Sequence, residues 1–145
     1  MIQAPALTRR VEITQATLDR YVGRELNYGA VDCVQIAAFH LRAMGLKVLL
    51  SKGGRYRTEL GAAKALKRAG FASLAEALED LGLDRVPAAS VIVGDLLEIP
   101  TAASIGCLMI ALGNGRALGF VDDHPVAAVL QPLQYVAGWR APLNP

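Results

Sequence analysis

Near Pro87 the spacing of apolar residues switches from a helical to a strand-like period, dividing the 145 residues into a helical front and a strand-rich back. Upstream, Val34, Ala37, Ala38, Leu41 and Met44 follow the i, i+3, i+4 spacing of a helix packed on one side. Asp32 is its N-cap, Gln35 sits at the capping-box position, and Gly45 stops it. Thr14 caps a shorter helix through Val22 that ends at Gly23. Thr58 caps a third helix to Ala69, closed by Gly70, and Ser73 with Glu76 starts a fourth, closed by Gly82. Leu46–Leu50 is a short strand or a packed connector, and Ser51–Arg57 is a loop. Downstream of Pro87, Val91–Val93, Asp95–Ile99, Ile105–Leu112, Arg116–Asp122 and Val126–Leu130 read as short strands. Asn114-Gly115 marks a tight hairpin. Ile105–Leu112, apolar on both faces, is the expected central strand. Helices segregated ahead of an antiparallel sheet define an α+β class. One domain over 1–145 is expected, with an N-terminal arm at 1–13 and a C-terminal tail at 141–145.

The hydrophobic fraction is 53% and the charged fraction 19%. No apolar run reaches the length needed to span a bilayer. The N-terminal charges follow the apolar residues, so no signal peptide is expected. Partner-covered surface or a large core both account for such apolarity. A net charge of +2 gives no case for nucleic acid. The basic clusters Lys52–Arg57 and Lys64–Arg68 read as a loop and a solvated helix face. Two cysteines and two histidines, far apart, make neither a disulfide framework nor a metal site. No phosphate loop is present, and no cofactor is implied.

Chemistry concentrates at Tyr28-Gly-Ala-Val-Asp-Cys33. Cys33 is the first residue of its helix, beside unpaired N–H groups and the positive end of the macrodipole. That setting favours thiolate, the nucleophilic form, while the Asp32 carboxylate works against it. The ordinary alternative is a small buried hydrophobe.

This stretch resembles the "Tyr-x-x-Gly-x-x-Asp-Cys" entry to the nucleophile helix of NlpC-type, papain-like cysteine peptidases. Gly94-Asp-Leu-Leu97 is similar to their Gly-Asp-hydrophobic strand, and Leu108–Gly115 to the following strand and its Gly-Asn-Gly turn. Gly54-Arg-Tyr-Arg-Thr58, then Gly61-Ala-Ala-Lys-Ala-Leu66 and Trp139-Arg140, resemble an NlpC-like family of unknown function encoded in phage and prophage tail clusters. The resemblance implies a papain-like fold with the cysteine helix laid against the sheet. Its peptidase members place a histidine before the Gly-Asn-Gly turn; here that position falls on Cys107 or Ser104, neither a histidine. The two lie on opposite faces of a strand, so at most one faces Cys33.

His40 shares the helix with Cys33 but is about 10.5 Å further along the axis, and reads as a packed helix residue. His124, in the turn Asp122-Asp-His-Pro125, is the candidate base, with Asp122 or Asp123 to orient it; the ordinary alternative is a polar turn between two strands. Cys107 in the histidine's place can approach Cys33; buried thiols, or a disulfide under oxidising conditions, are the two outcomes. Arg55, Tyr56 and Arg57 form a candidate anion-binding loop, or a structural one with the arginines paired to Asp80 or Glu76. Trp139 is expected to anchor the C-terminal segment.

The expected function is a structural component of a phage tail, at its distal end, on an NlpC-like fold that has lost its histidine. The resemblance implies hub, distal-tail and tape-measure proteins as partners, and a virion protein assembled in the host cytoplasm. The first alternative is an active cysteine hydrolase of cell-wall peptides, with Cys33 as nucleophile and His124 as base. The second is a module that only binds a peptide or amide ligand.

Overall fold

The computed structural model describes residues 6–50, 53–101, 106–121 and 124–142. Four helices come first: α1 Ala6–Tyr21, α2 Cys33–Ala43, α3 Glu59–Arg68 and α4 Leu74–Asp80. Six strands follow: β1 Asp84–Val86, β2 Leu96–Ile99, β3 Cys107–Gly113, β4 Arg116–Val121, β5 His124–Leu130 and β6 Ala137–Arg140. They form one antiparallel sheet in the order β1-β6-β2-β3-β4-β5, with β3 near the middle. The α+β class is therefore as expected. The β3–β4 hairpin turns through Asn114 and Gly115, both at positive φ, as a two-residue connection of right-handed strands demands.

The cap residues act as the sequence suggests. The side chains of Asp32, Thr58 and Ser73 accept from the N–H three residues on, at Gln35, Gly61 and Glu76. Helices α1, α2 and α4 cover one sheet face. Tyr21, Ile36, Leu41, Met44, Leu74 and Leu78 meet Leu96, Leu108, Ile110, Leu118 and Trp139 there. Burying a side chain as fully as Leu41 or Met44 contributes about 1.5–3 kcal/mol each. A smaller cluster of Leu97, Met109, Ala111 and Ala117 lies in the second layer, against Val91, Ile99, Leu130 and Tyr135. Trp139 is part of the main core on β6, with its indole N–H on Glu98, and so does more than anchor a tail.

Three expectations are corrected. Helix α1 begins at Ala6, so residues 6–13 are helix, not an arm, and Thr14 lies mid-helix with its hydroxyl bonded back to the Arg10 carbonyl. The inward stripe is Arg10, Thr14, Thr17 and Tyr21, polar for three of four positions. Val91–Val93 is not a strand, because the Ile92 N–H bonds the Asp95 carboxylate and closes a turn. Strands β1 and β6 form at segments with no alternating pattern, and Leu46–Leu50 is a connector.

The Gly94-Asp95 pair fixes the helices to the sheet. Asp95 is fully buried and takes two bonds from Arg140, at 2.8 and 3.0 Å, with Arg10 at 3.5 Å. Arg10 also donates to the Ala141 carbonyl. One carboxylate thus joins α1, the start of β2 and the end of β6. Removing such a buried partner costs about 3–5 kcal/mol, because two cations lose their counter-charge. Gly94 has φ +89°, and a Cβ there would press on Met44 and Thr14 at 3.0 and 3.1 Å.

The Gly94 carbonyl lies 2.9 Å from His40 Nε2, and Thr17 Oγ lies 2.8 Å from Nδ1. A carbonyl only accepts, so Nε2 carries the proton and Nδ1 accepts from Thr17. The ring is neutral, and burial lowers its pKa to about 4, partly opposed by the Gly94 carbonyl. His40 is thus a packed residue, bonded at both nitrogens.

In the unfolded chain this imidazole titrates near about 6.5. Between the two values the unfolded state binds the extra proton, so stability falls as the solution is acidified. The contribution is complete above about pH 6.5 and lost by about pH 4, roughly 3 kcal/mol in all. Urea unfolding followed across this window should show the decline. In His40→Asn the curve should be flatter there.

Candidate functional site

Residues 23–27 lie along β5, with Gly23 and Leu26 donating to Ala127 and Pro125 and a bridge pairing Glu25 with Val126. The chain then turns through residues 28–31 into α2. Asp32 caps that helix and is almost fully buried. Its Oδ1 accepts from the Gln35 N–H at 2.8 Å. Its Oδ2 accepts from the Gly29 N–H at 2.8 Å and the Tyr56 hydroxyl at 2.7 Å. The Gln35 side chain reaches Tyr56 at 3.5 Å, so its amide joins this cluster and leaves the capping box half formed.

Gly29 has φ +89°, and a Cβ there would fall on the Tyr56 carbonyl oxygen. The loop before α3 is therefore pressed against the turn before α2, and only glycine fits the contact. Tyr56 is half-buried. Its phenol is pushed well above the ordinary value, first by burial and then by the Asp32 charge, so it stays protonated and donates.

Cys33, one residue on, is partly buried against the main core. Cys107 opens β3, the strand against which α2 packs. Both sulfurs are thiols. The Cys33 thiol is held well above its ordinary pKa, foremost by the Cys107 side chain, then by burial and the Cys107 charge. The Leu108 N–H opposes this and Asp32 reinforces it. The helix start was expected to favour thiolate; these neighbours reverse the sign. Tyr28 flanks the pair, its phenol raised by burial first, then by Glu59 and the two sulfurs.

The structure thus joins the Asp32-Cys33 motif to Tyr56 by a hydrogen bond and packs its helix against β3, the strand that Cys107 opens. Arg55 and Arg57 are exposed beside Tyr56. Among the described residues no ion pair links them to Asp80 or Glu76, and the Glu76 carboxylate accepts from the Ala72 N–H instead. Ser104, Asp122 and Asp123 lie outside the described residues. For His124 the backbone is described: it opens β5 and pairs with Val121.

An apolar cavity of about 240 Å³ adjoins the site between α2, α3 and α4, with Val34, Tyr56 and Leu108 in its wall. Among the described residues there is no cluster of three or more metal-ligating side chains, and no helix is long and apolar enough to cross a membrane.

What these residues form is a papain-like arrangement: a cysteine at the start of a helix whose side packs on an antiparallel sheet. The P60 domain of antigen MAP1204 from M. avium subspecies paratuberculosis is similar in structure, with a TM-score of 0.58 at 12% identity over 94% of this chain and 97% of that one. The fold is accordingly of the NlpC/P60 type. The chain belongs to the family described as Domain of unknown function (DUF6950), whose model matches residues 7–141. No curated protein matches it.

The Asp32–Tyr56 bond yields a direct test. Tyr56→Phe removes one donor to a buried carboxylate and should destabilise the fold by about 1.5–3 kcal/mol in chemical denaturation. A loss below about 0.5 kcal/mol, the range of ordinary surface changes, would show that the bond contributes little.

Proposed function

We propose that this protein is a structural component of a bacteriophage or phage-like tail, at its distal end, in which an NlpC-like fold serves as a scaffold. The observation that carries this reading is the residue on β3 at the family's histidine position. A cysteine hydrolase needs a base beside its nucleophile, and an orienting group behind that base. Here one of the two positions where the family resemblance assigns histidine is a second cysteine, Cys107, on the strand that packs against α2. A thiol with a raised pKa is a poor nucleophile at neutral pH, and Cys107 has no imidazole nitrogen with which to take its proton.

The tail role rests on the sequence resemblance to tail-cluster proteins. Exposed Leu7, Leu60, Leu133 and Val136 give apolar surface for neighbours to cover. The hub, distal-tail and tape-measure proteins are the proposed partners, with assembly in the host cytoplasm and residence in the virion.

One observation favours the hydrolase instead. Strand register sets the His124 backbone beside Val121, at the same end of the sheet as Cys107. Peptidoglycan digestion separates the readings. Wild type, Cys33→Ala and His124→Ala should release the same background of stem peptides, and the protein should sediment with tails from a phage lysate. Release that depends on Cys33 and His124, or protein confined to the soluble fraction, would overturn the proposal.

A further inference from the structure

The cavity between α2, α3 and α4 has an apolar floor and a charged mouth. Its deep wall is Leu41, Ala62, Ala65, Leu78 and Leu108, all buried. Its outer wall includes Lys47, Leu49, Gly54 and Asp80, all exposed. Ala37 on α2, Ala65 on α3 and Ala77 on α4 line the space, and their short side chains leave it open. The wall is set in advance of any ligand. A Cβ on Gly53 would fall on the Ala65 carbonyl oxygen, so this loop lies directly on α3, and Arg68 Nε holds the Gly53 carbonyl at 2.9 Å.

Charge gathers on the same side. Between residues 47 and 68 the sequence has Lys47, Lys52, Arg55, Arg57, Lys64, Lys67 and Arg68 against the single acid Glu59, in a chain whose net charge is only +2. Among the described residues neither Lys47 nor Asp80 is in an ion pair.

We propose that this cavity binds a saturated aliphatic carboxylate of about eight to ten carbons, with its chain inward and its head at Lys47. The size follows from the volume. A dry apolar cavity of about 150 Å³ holds the six carbons of benzene, and this one measures about 240 Å³. The chain is aliphatic because the floor offers nothing to bond a heteroatom; the Tyr56 hydroxyl already donates to Asp32. The head is anionic because the mouth is formed largely by the basic segment, with Asp80 as the opposing charge. A chain seated there would also cover Leu49, which is 52% exposed. The proposal goes beyond the tail role and needs no chemistry at Cys33, so failure of either leaves the other standing.

The test is calorimetric titration of the intact chain with sodium hexanoate, octanoate, decanoate and tetradecanoate at submicellar concentrations. One site is expected, with affinity rising about three- to fourfold per methylene up to decanoate. Tetradecanoate should bind no tighter than decanoate, because the cavity is then full. Decanol should bind at least about fivefold more weakly than decanoate, and Lys47→Gln should erase that difference, whereas Asp80→Asn should tighten decanoate about two- to fivefold. Ala77→Leu fills the space and should abolish binding without lowering Tm; Ala69→Leu, at the end of α3, blocks the same cavity if the first variant does not fold. Absence of saturable decanoate binding, affinity that keeps climbing through tetradecanoate, decanol binding as tightly as decanoate, or undiminished binding by a folded cavity-filling variant would overturn the proposal.

Discussion

A buried carboxylate at the start of α2 organises everything around the candidate site. Asp32 has two oxygens and three donors: the Gln35 N–H, the Gly29 N–H and the Tyr56 hydroxyl. The first begins the helix, the second shapes the turn before it, and the third brings in the loop that precedes α3. Each bond is worth more because the acceptor is charged and shielded from water. Cys33 follows this anchor by one residue, so its place against β3 is set by a neighbour that takes no part in sulfur chemistry.

Asp95 performs the corresponding task at the entrance to β2. It holds Arg10 and Arg140, while the preceding glycine offers its carbonyl to His40. The two acids hold the NlpC/P60 frame together through bonds in which the Cys33 sulfur takes no part. Their bonds stabilise the fold whether or not the site performs chemistry. A Gly-Asp motif and an Asp-Cys motif are thus structural requirements first. Resemblance in these motifs transfers architecture more safely than it transfers activity.

What the sequence revealed follows the range of the forces involved. Asp32, Thr58 and Ser73 were legible as caps because a cap bond closes within three residues. Ile105–Leu112 was legible as a central strand because a run apolar on both faces needs cover on both sides; the described strand is β3, Cys107–Gly113. The first half of α1 was not legible. The helix's inward stripe is Arg10, Thr14, Thr17 and Tyr21, and Arg10, the one member in that first half, is matched by Asp95 and Ala141, far along the chain. Strands β1 and β6 were missed because Asp84–Val86 and Ala137–Arg140 are strands only by virtue of pairing with each other and with β2. Val91–Val93 misled in the opposite direction: its β-branched residues suit a strand, but the Asp95 side chain captures the Ile92 N–H first. The site divides in the same way. Cys33 and Asp32 stood out locally, and Cys107 was marked by family resemblance alone. That Tyr56 reaches Asp32 depends on packing that no short-range pattern encodes.

The ionisation of Cys33 separates an idle sulfur from an armed one most directly. The alkylation rate of the Cys33 peptide in the folded protein, followed by mass spectrometry against pH, measures its thiolate fraction. The rate should stay low at neutral pH and still be climbing above about pH 9, the ordinary thiol range. A rate that reaches its plateau below pH 7, as for a thiolate paired with an imidazolium, would contradict the account.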